Sequence, residues 1–279
     1  MPQHNLAAEP GRIIFSSVSS GKWDLWSIKP DGTGLKQITN SLEDEHTPAV
    51  SADGKTIACI VDRVVWTMRV DRTERQKLPL PAGIYASPAW TPDGLGIVYV
   101  KLTVVPSEAS EIWIVKKTGN HWGEPQRITR HPPMRLNPSF SPGGSKLAHA
   151  KFERDRLLGV VEEIGVLDLK ENKFVEITAD GADSFKPMWS PSGDKIAYMS
   201  NKSGNYDIWT VHVKTRKQHR LTTDPAYDGD PAWSTDGSQI AFVSSRSGAR
   251  EIWIMSTDGK KPRQVTKMGT SCEGPSWAK

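Results

Sequence analysis

Residues 231–237, PAWSTDG, give one of the six copies of a short phrase that recurs along the chain. Four more complete copies begin at Pro48, Pro88, Pro138 and Pro187, each with proline, any residue, an aromatic or apolar residue and a glycine turn. A shortened copy without the turn begins at Pro275. The prolines are about 40 to 50 residues apart. A repeat of that length, built from short apolar segments and glycine turns, is typical of a β-propeller blade.

Each phrase predicts the first strand of a blade and the tight turn that follows it. In the copy at Pro231, the glycine at position 237 accepts the positive φ of the turn. Three more predicted strands follow, over residues 239–244, 251–255 and 264–266. Nine of the eleven tryptophans recur at two fixed positions of the repeat, so we expect them to pack between blades. Trp23 and Trp122 are outside this register.

The two chain ends predict how the ring closes. Residues 11–15 correspond to the second strand of a blade, and no proline phrase precedes them. The shortened phrase at residues 275–279 corresponds to a first strand without its turn. We therefore predict that residues 275–279 pair into the first blade, which leaves no open sheet edge.

The sequence thus predicts an all-β fold, a six-bladed β-propeller of four-stranded antiparallel blades. Residues 1–10 are expected to form an N-terminal arm, and residues 11–279 a single propeller. The predicted blades are residues 11–42 with 275–279, then 47–80, 87–130, 137–179, 186–223 and 230–267.

Composition narrows the classes of partner. The net charge of +4 over 279 residues is too small to indicate nucleic-acid binding. No apolar stretch approaches the roughly 18 residues of a membrane span, so we expect no membrane insertion. The N-terminal residues do not resemble a signal peptide, and two cysteines do not form a disulfide framework. We expect a monomer.

The repeated phrase resembles that of TolB-type propellers, in which proline, any residue, tryptophan, serine, proline, aspartate and glycine precede a short apolar strand. The resemblance covers residues 11–279. It implies a periplasmic or other extracytoplasmic protein if a leader has been removed, with the cytoplasm as the alternative. TolB also carries an N-terminal α/β domain, whereas about ten residues precede the first blade here. We therefore do not expect the role of that domain in the Tol system to apply to this chain.

The loops that precede the first strands converge on the mouth of the central channel. They carry nine acidic and four basic residues, which predicts a negative mouth that attracts cations or basic peptides. The predicted ligand-binding residues are Glu45, His46, Asp183, Lys186, Asp228, Asp230 and Glu273. Since carboxylate oxygens suit Ca²⁺, we expect that a calcium ion, if bound, is held by Asp228, Asp230 and Glu273; no other cofactor is indicated.

Blade four contains an insert at residues 152–165 with an apolar tip inside a charged sequence. An exposed apolar tip is typical of a contact surface. We therefore predict that Leu157, Leu158 and Val160 contact a partner. The alternative is that the second and third strands of this blade are simply longer.

No GxSxG, HExxH or CxxC motif and no glycine-rich cofactor loop occurs in the sequence. The leading hypothesis is a non-catalytic propeller that captures a peptide or protein segment at the loop face and channel mouth. One alternative is a carbohydrate-active lyase or glycosidase that uses carboxylates at the rim. Another is a gating or partner domain for a peptidase.

Overall fold

The computed structural model describes residues 11–102, 110–119, 121–129, 134–155 and 159–278, with side chains except at 153–155 and 159–161. The predicted arm, residues 1–10, lies outside the described residues. Every regular element in the described ranges is a β-strand. These ranges therefore contain no helix that could span a membrane.

The strands form six separate antiparallel sheets, each built on four strands, which confirms the predicted six-bladed propeller. The sheet of blade 3 has one additional short strand, and the sheet of blade 1 begins with the last strand of the chain. Blade 1 contains β25 (Cys272–Trp277), β1 (Ile13–Ser17), β2 (Asp24–Ile28) and β3 (Lys36–Gln37). Blade 2 contains β4 (Glu45–Val50), β5 (Thr56–Val61), β6 (Val64–Arg69) and β7 (Gln76–Lys77). Blade 3 contains β8 (Ile84–Trp90), β9 (Gly96–Leu102), β10 (Ser110–Thr118) and β12 (Gln126–Arg127), with β11 (His121–Trp122) paired to the end of β10.

The second half of the ring repeats this plan. Blade 4 contains β13 (Arg135–Phe140), β14 (Lys146–Asp155), β15 (Gly159–Asp168) and β16 (Lys173–Glu176). Blade 5 contains β17 (Ser184–Trp189), β18 (Lys195–Ser200), β19 (Asp207–His212) and β20 (Gln218–Arg220). Blade 6 contains β21 (Asp228–Trp233), β22 (Gln239–Ser247), β23 (Ala249–Ser256) and β24 (Arg263–Gln264).

Strand β25 closes the ring, as the sequence predicted. It pairs antiparallel with β1, with Trp277 opposite Ile13 and Cys272 opposite Ser17. The strand begins at Cys272, three residues before the proline phrase. The first and last parts of the chain therefore share one sheet, and blade 1 depends on both.

The core consists of apolar layers between neighbouring blades. Between blades 6 and 1, for example, Ala241 and Ile252 pack with Ile13 and Phe15. The nine periodic tryptophans all pack in or against such layers, which confirms their predicted place; they are Trp26, Trp66, Trp90, Trp113, Trp189, Trp209, Trp233, Trp253 and Trp277. The indole nitrogens of Trp90, Trp233 and Trp277 also donate to a carbonyl of the preceding blade at 3.0–3.1 Å.

Candidate functional site

The propeller has two faces. We call the face that carries the loops before the first strands, and the loops between second and third strands, the loop face. The opposite face carries the tight turns and is called the turn face. The first strand of every blade begins at the loop face and lines the central channel.

A bulge interrupts the first strand of every blade near the channel mouth. The residue before each repeat proline has a left-handed φ of 48–58°, and the strand pairing shifts register at the same place. These six residues, which we call the collar, are Thr47, Ser87, Asn137, Lys186, Asp230 and Gly274. Only the glycine adopts this φ without steric cost. A bulge re-aims its side chain, so the collar presents side chains that regular pleating would place elsewhere.

Collar residues of neighbouring blades contact one another. The Lys186 ammonium lies 2.6 Å from Asp230 Oδ1, and the Gly274 amide donates to Asp230 Oδ2 at 2.9 Å. On the other side of the ring, the Asn137 amide donates to the Ser87 hydroxyl at 3.1 Å. Two of the predicted site residues, Lys186 and Asp230, thus meet at the channel, where they bind each other.

Two other predicted site residues are fully buried. Glu45 accepts hydrogen bonds from Ser41 and from Arg75, each at 3.0 Å. Asp228 binds Arg246 at 2.7 Å, and burial raises the pKa of this carboxyl. Each of these carboxylates is therefore paired with an arginine of its own blade.

His46 and Glu273 form a partly exposed pair between blades 2 and 1. His46 Nδ1 lies 2.8 Å from Glu273 Oε1, and the two side chains are 33% and 30% exposed. The Trp23 ring is centred 5.1 Å from the imidazole. Of the residues predicted at the mouth, these two remain accessible together.

The structure does not bring the three predicted calcium ligands together. Asp228 binds Arg246, Asp230 binds Lys186, and Glu273 binds His46. Regular alternation would place Asp228 and Asp230 on one face of a strand, but the bulge between Gly229 and Ala232 interrupts it. Among the residues that the structure describes, no group of three or more acidic, histidine or cysteine side chains could hold a metal ion.

The prediction of a strongly negative mouth counted only the loops before the first strands. Cations from other segments neutralise several of those acids. Arg246 lies 3.9 Å from Asp224 as well as binding Asp228, and Lys202 lies 2.6 Å from Asp180. Lys202 belongs to the loop between the second and third strands of blade 5, and Arg246 to the end of β22, so neither base lies in the loops before the first strands.

A row of four aromatic rings crosses the loop face from blade 4 to blade 6. Phe152 lies 6.4 Å from Phe185, which lies 5.9 Å from Tyr206, which lies 6.0 Å from Tyr227, measured between ring centroids. All four side chains are half-buried or more. We call them the aromatic row. Sequence reasoning missed it because the four residues occupy different positions of the repeat, on three blades.

Glu162 and Asp183 lie beside this row. Phe152 and Glu162 are directly opposite each other in the β14–β15 pair, so they are on the same face of blade 4. That face packs toward blade 5, because Phe152 contacts Phe185. Burial and the Asp183 carboxylate together raise the pKa of Glu162 to about 8. Both carboxylates also raise the pKa of Tyr206, after the larger effect of its burial.

Strands β14 and β15 of blade 4 are long and are paired with each other. The β14–β15 pairing continues to Asp155 opposite Gly159. For the backbone, the alternative interpretation is therefore correct: the second and third strands of this blade are longer. Leu157 and Leu158 lie outside the described residues. Val160 belongs to β15, and its side chain lies outside the described ones.

The turn face contains an open cleft of about 430 Å³ between blades 4 and 5. Its walls include Trp189, Asp194 and Lys214. Asp194 is engaged by Ser190 and Ser192 of its own turn. This acid therefore already binds within its own turn, while Lys146, His212 and Lys214 also line the cleft.

The six blades form a closed ring, which is the architecture of a six-bladed β-propeller. Aromatic and polar side chains lie together at one mouth of its channel. The sequence model of the family described as "TolB beta propeller domain" matches residues 120–279, more than half of the chain. The chain belongs to this family, which confirms the resemblance given by the proline phrases.

Individual relatives agree with this assignment. The chain is 32% identical over 195 residues to a Bacillus subtilis protein named uncharacterized peptidase YuxL, covering 68% of this chain and 27% of that one. It is 29% identical over 150 residues to a protein named TolB homolog from Chlorobium luteolum, covering 49% and 30%. Among solved structures, TolB from Acinetobacter baumannii superimposes with a TM-score of 0.82 at 20% identity, over 96% of this chain and 66% of that one.

These relatives have diverse functions. The chain spans about 30% or less of the length of the curated relatives it matches. Propellers of similar fold also occur in an oligogalacturonate lyase and in a puromycin-hydrolysing peptidase, with TM-scores of 0.63 and 0.59. At 16% and 14% identity these likenesses show the fold alone. Function therefore has to be inferred from the site.

Proposed function

We propose that this propeller is a protein-binding module that takes an extended peptide segment across its loop face, over blades 4 to 6. The aromatic row carries the proposal. Partly exposed aromatic rings supply large contact area at little cost in side-chain entropy, and they dominate the energetics of many interfaces. A continuous row of them on one face of a propeller is suited to a chain laid across it.

The dimensions favour a segment over a small molecule. The row extends over about 18 Å at most, which an extended chain of about five residues would span. The four rings are tilted or edge-on to one another, and each is partly exposed along the row. Small-molecule sites, in contrast, enclose most of their ligand. The accessible pair His46 and Glu273 lies on the same face and offers polar contacts at the channel.

A binding role is favoured over the carbohydrate-active alternative. A glycosidase needs two accessible carboxylates at a defined separation. Among the acidic residues predicted at the channel mouth, Glu45 and Asp228 are buried and bound to arginines. From the family we further propose that the protein is extracytoplasmic. We also propose that it binds its partner segment as a monomer.

The test is selection from a phage-displayed library of random 12-residue peptides, followed by fluorescence polarisation with the enriched peptides. We expect Phe185→Ala and Tyr206→Ala each to weaken binding at least tenfold, since each removes a central ring of the row. Phe140→Ala is the matched control, because Phe140 is a half-buried phenylalanine at the turn face.

Charge reversal at two exposed turn-face lysines, Lys214→Glu and Lys217→Glu, should leave the affinity unchanged. Melting temperatures of all variants identify any loss that comes from unfolding. Peptides that bind folded loop-face variants normally, but lose affinity for the turn-face variants, would refute the proposal.

A further inference from the structure

We infer that the aromatic row contains a subsite for a lysine or arginine side chain of the bound segment, formed by Glu162, Asp183 and Tyr206. The inference rests on the proposed function and deepens it. Such a subsite would make the aromatic row prefer extended segments that carry a lysine or an arginine.

One oxygen of Glu162 is buried without a partner. The residue is 8% exposed, and its Oε2 atom has no hydrogen-bond partner. Removing a carboxylate from water without a compensating bond is costly, so buried acids of this kind are ordinarily paired. The unpaired oxygen of Glu162 is therefore suited to a donor that arrives with a ligand.

Four described cations of blades 4 to 6 have partners other than Glu162. Lys202 binds Asp180, Lys186 binds Asp230, Lys151 binds Glu176, and Arg250 lies 4.4 Å above the Tyr227 ring. The neighbouring Glu163 binds Thr178 and the amides of Asp180 and Gly181. The charged group that acts most on Glu162 is a second acid, Asp183. When Glu162 ionises, it and Asp183 give a local negative charge that a cation would relieve.

Asp183 keeps capacity to accept further hydrogen bonds. Its Oδ2 atom accepts from the Asn201 amide at 3.0 Å, and its side chain is half-buried. A carboxylate offers about four acceptor positions, so one such bond leaves room for an ammonium or guanidinium.

The rings complete the subsite. Tyr206 lies between Phe185 and Tyr227. The carboxylates of Asp183 and Glu162 both raise the pKa of its hydroxyl, after the larger effect of burial. A lysine or arginine stem packs along aromatic faces while its charged head reaches the acids. Arg250 over Tyr227 shows the same contact within the protein, one ring further along the row. An acidic or purely aliphatic side chain would leave the Glu162 oxygen unpaired.

The experiment uses peptides enriched on the wild-type chain that lose affinity with Tyr206→Ala. We expect most of these peptides to contain a lysine or an arginine. Replacement of that residue by norleucine should weaken binding about tenfold or more, because it removes a charge-assisted hydrogen bond. Glu162→Gln should remove most of this preference for lysine over norleucine. Glu171→Gln, an exposed acid on the turn face of the same blade, is the control that should preserve it.

The pH dependence gives a second readout. Lysine remains charged between about pH 6 and 9, whereas Glu162 ionises within that range. The ratio of lysine to norleucine affinity should therefore rise with pH in the wild-type chain and stay flat in Glu162→Gln.

The outcomes separate the two proposals. If the enriched peptides bind through the aromatic row but contain no preferred basic residue, the subsite is refuted and the proposed function stands. The subsite is likewise refuted, and the proposed function retained, if Glu162→Gln keeps the full preference for lysine. If no enriched peptide depends on the row, the proposed function fails, and the subsite fails with it.

Discussion

The change Glu162→Gln should make the free energy of unfolding respond differently to pH. Burial, with Asp183 beside it, raises the pKa of Glu162 to about 8 in the folded protein. In the unfolded chain a glutamate has a pKa of about 4.3. Between these values the unfolded chain has lost its proton while the folded protein keeps it, so folding takes up a proton and stability falls as pH rises.

The size of the effect follows from this difference. Each unit of pKa shift corresponds to about 1.4 kcal/mol, so the cost of Glu162 should approach an upper limit of about 5 kcal/mol near pH 8. Below about pH 4 neither state is ionised and the cost vanishes; above about pH 8 both are ionised and it stays constant. Glutamine cannot ionise, so the variant should gain stability relative to wild type steadily between about pH 5 and 8.

Urea unfolding of both proteins at pH 5, 6, 7 and 8 measures this directly. The absolute stability of the variant also reflects its uncharged amide, so the informative quantity is the change with pH of the difference between the two proteins. For a chain of this length each 1 kcal/mol should shift the melting temperature by roughly 2–4 °C. A difference that is the same at pH 5 and pH 8 would show that Glu162 does not hold its proton in the folded protein, and Glu171→Gln should show no such trend.

The remaining predictions concern packing. Trp277→Ala should lower the free energy of unfolding by about 3 kcal/mol, because the indole packs between blades 6 and 1 and binds the Ala232 carbonyl at 3.0 Å; an unchanged urea midpoint would show that β25 does not hold the ring closed. Gly165→Ala should cost about 1–3 kcal/mol, since a Cβ there would lie 1.9 Å from Phe174 Cζ. A Gly165→Ala melting temperature equal to that of wild type would mean that Phe174 moves freely.

The features that repeat from blade to blade were readable from the sequence. The proline phrase, its glycine turn and the periodic tryptophans predicted six blades, and the shortened phrase at residues 275–279 predicted the closing strand. These features repeat in every blade, so each copy supports the others. The collar is an exception. A residue before proline is biased toward extended backbone, yet all six collar residues are left-handed, because the bulge next to the channel overrides the local preference.

The candidate site was decided by contacts between distant parts of the chain. The acids of the mouth could be counted from sequence, but not their partners: Arg75 reaches Glu45, Lys202 reaches Asp180, and both bases come from other loops. Strand register places Glu162 beside Phe152, and the packing of blade 4 on blade 5 brings both to Phe185. Sequence therefore determined the ring, because strand and turn formation is local, whereas burial and the pairing of charges depend on which loops the closed ring brings together.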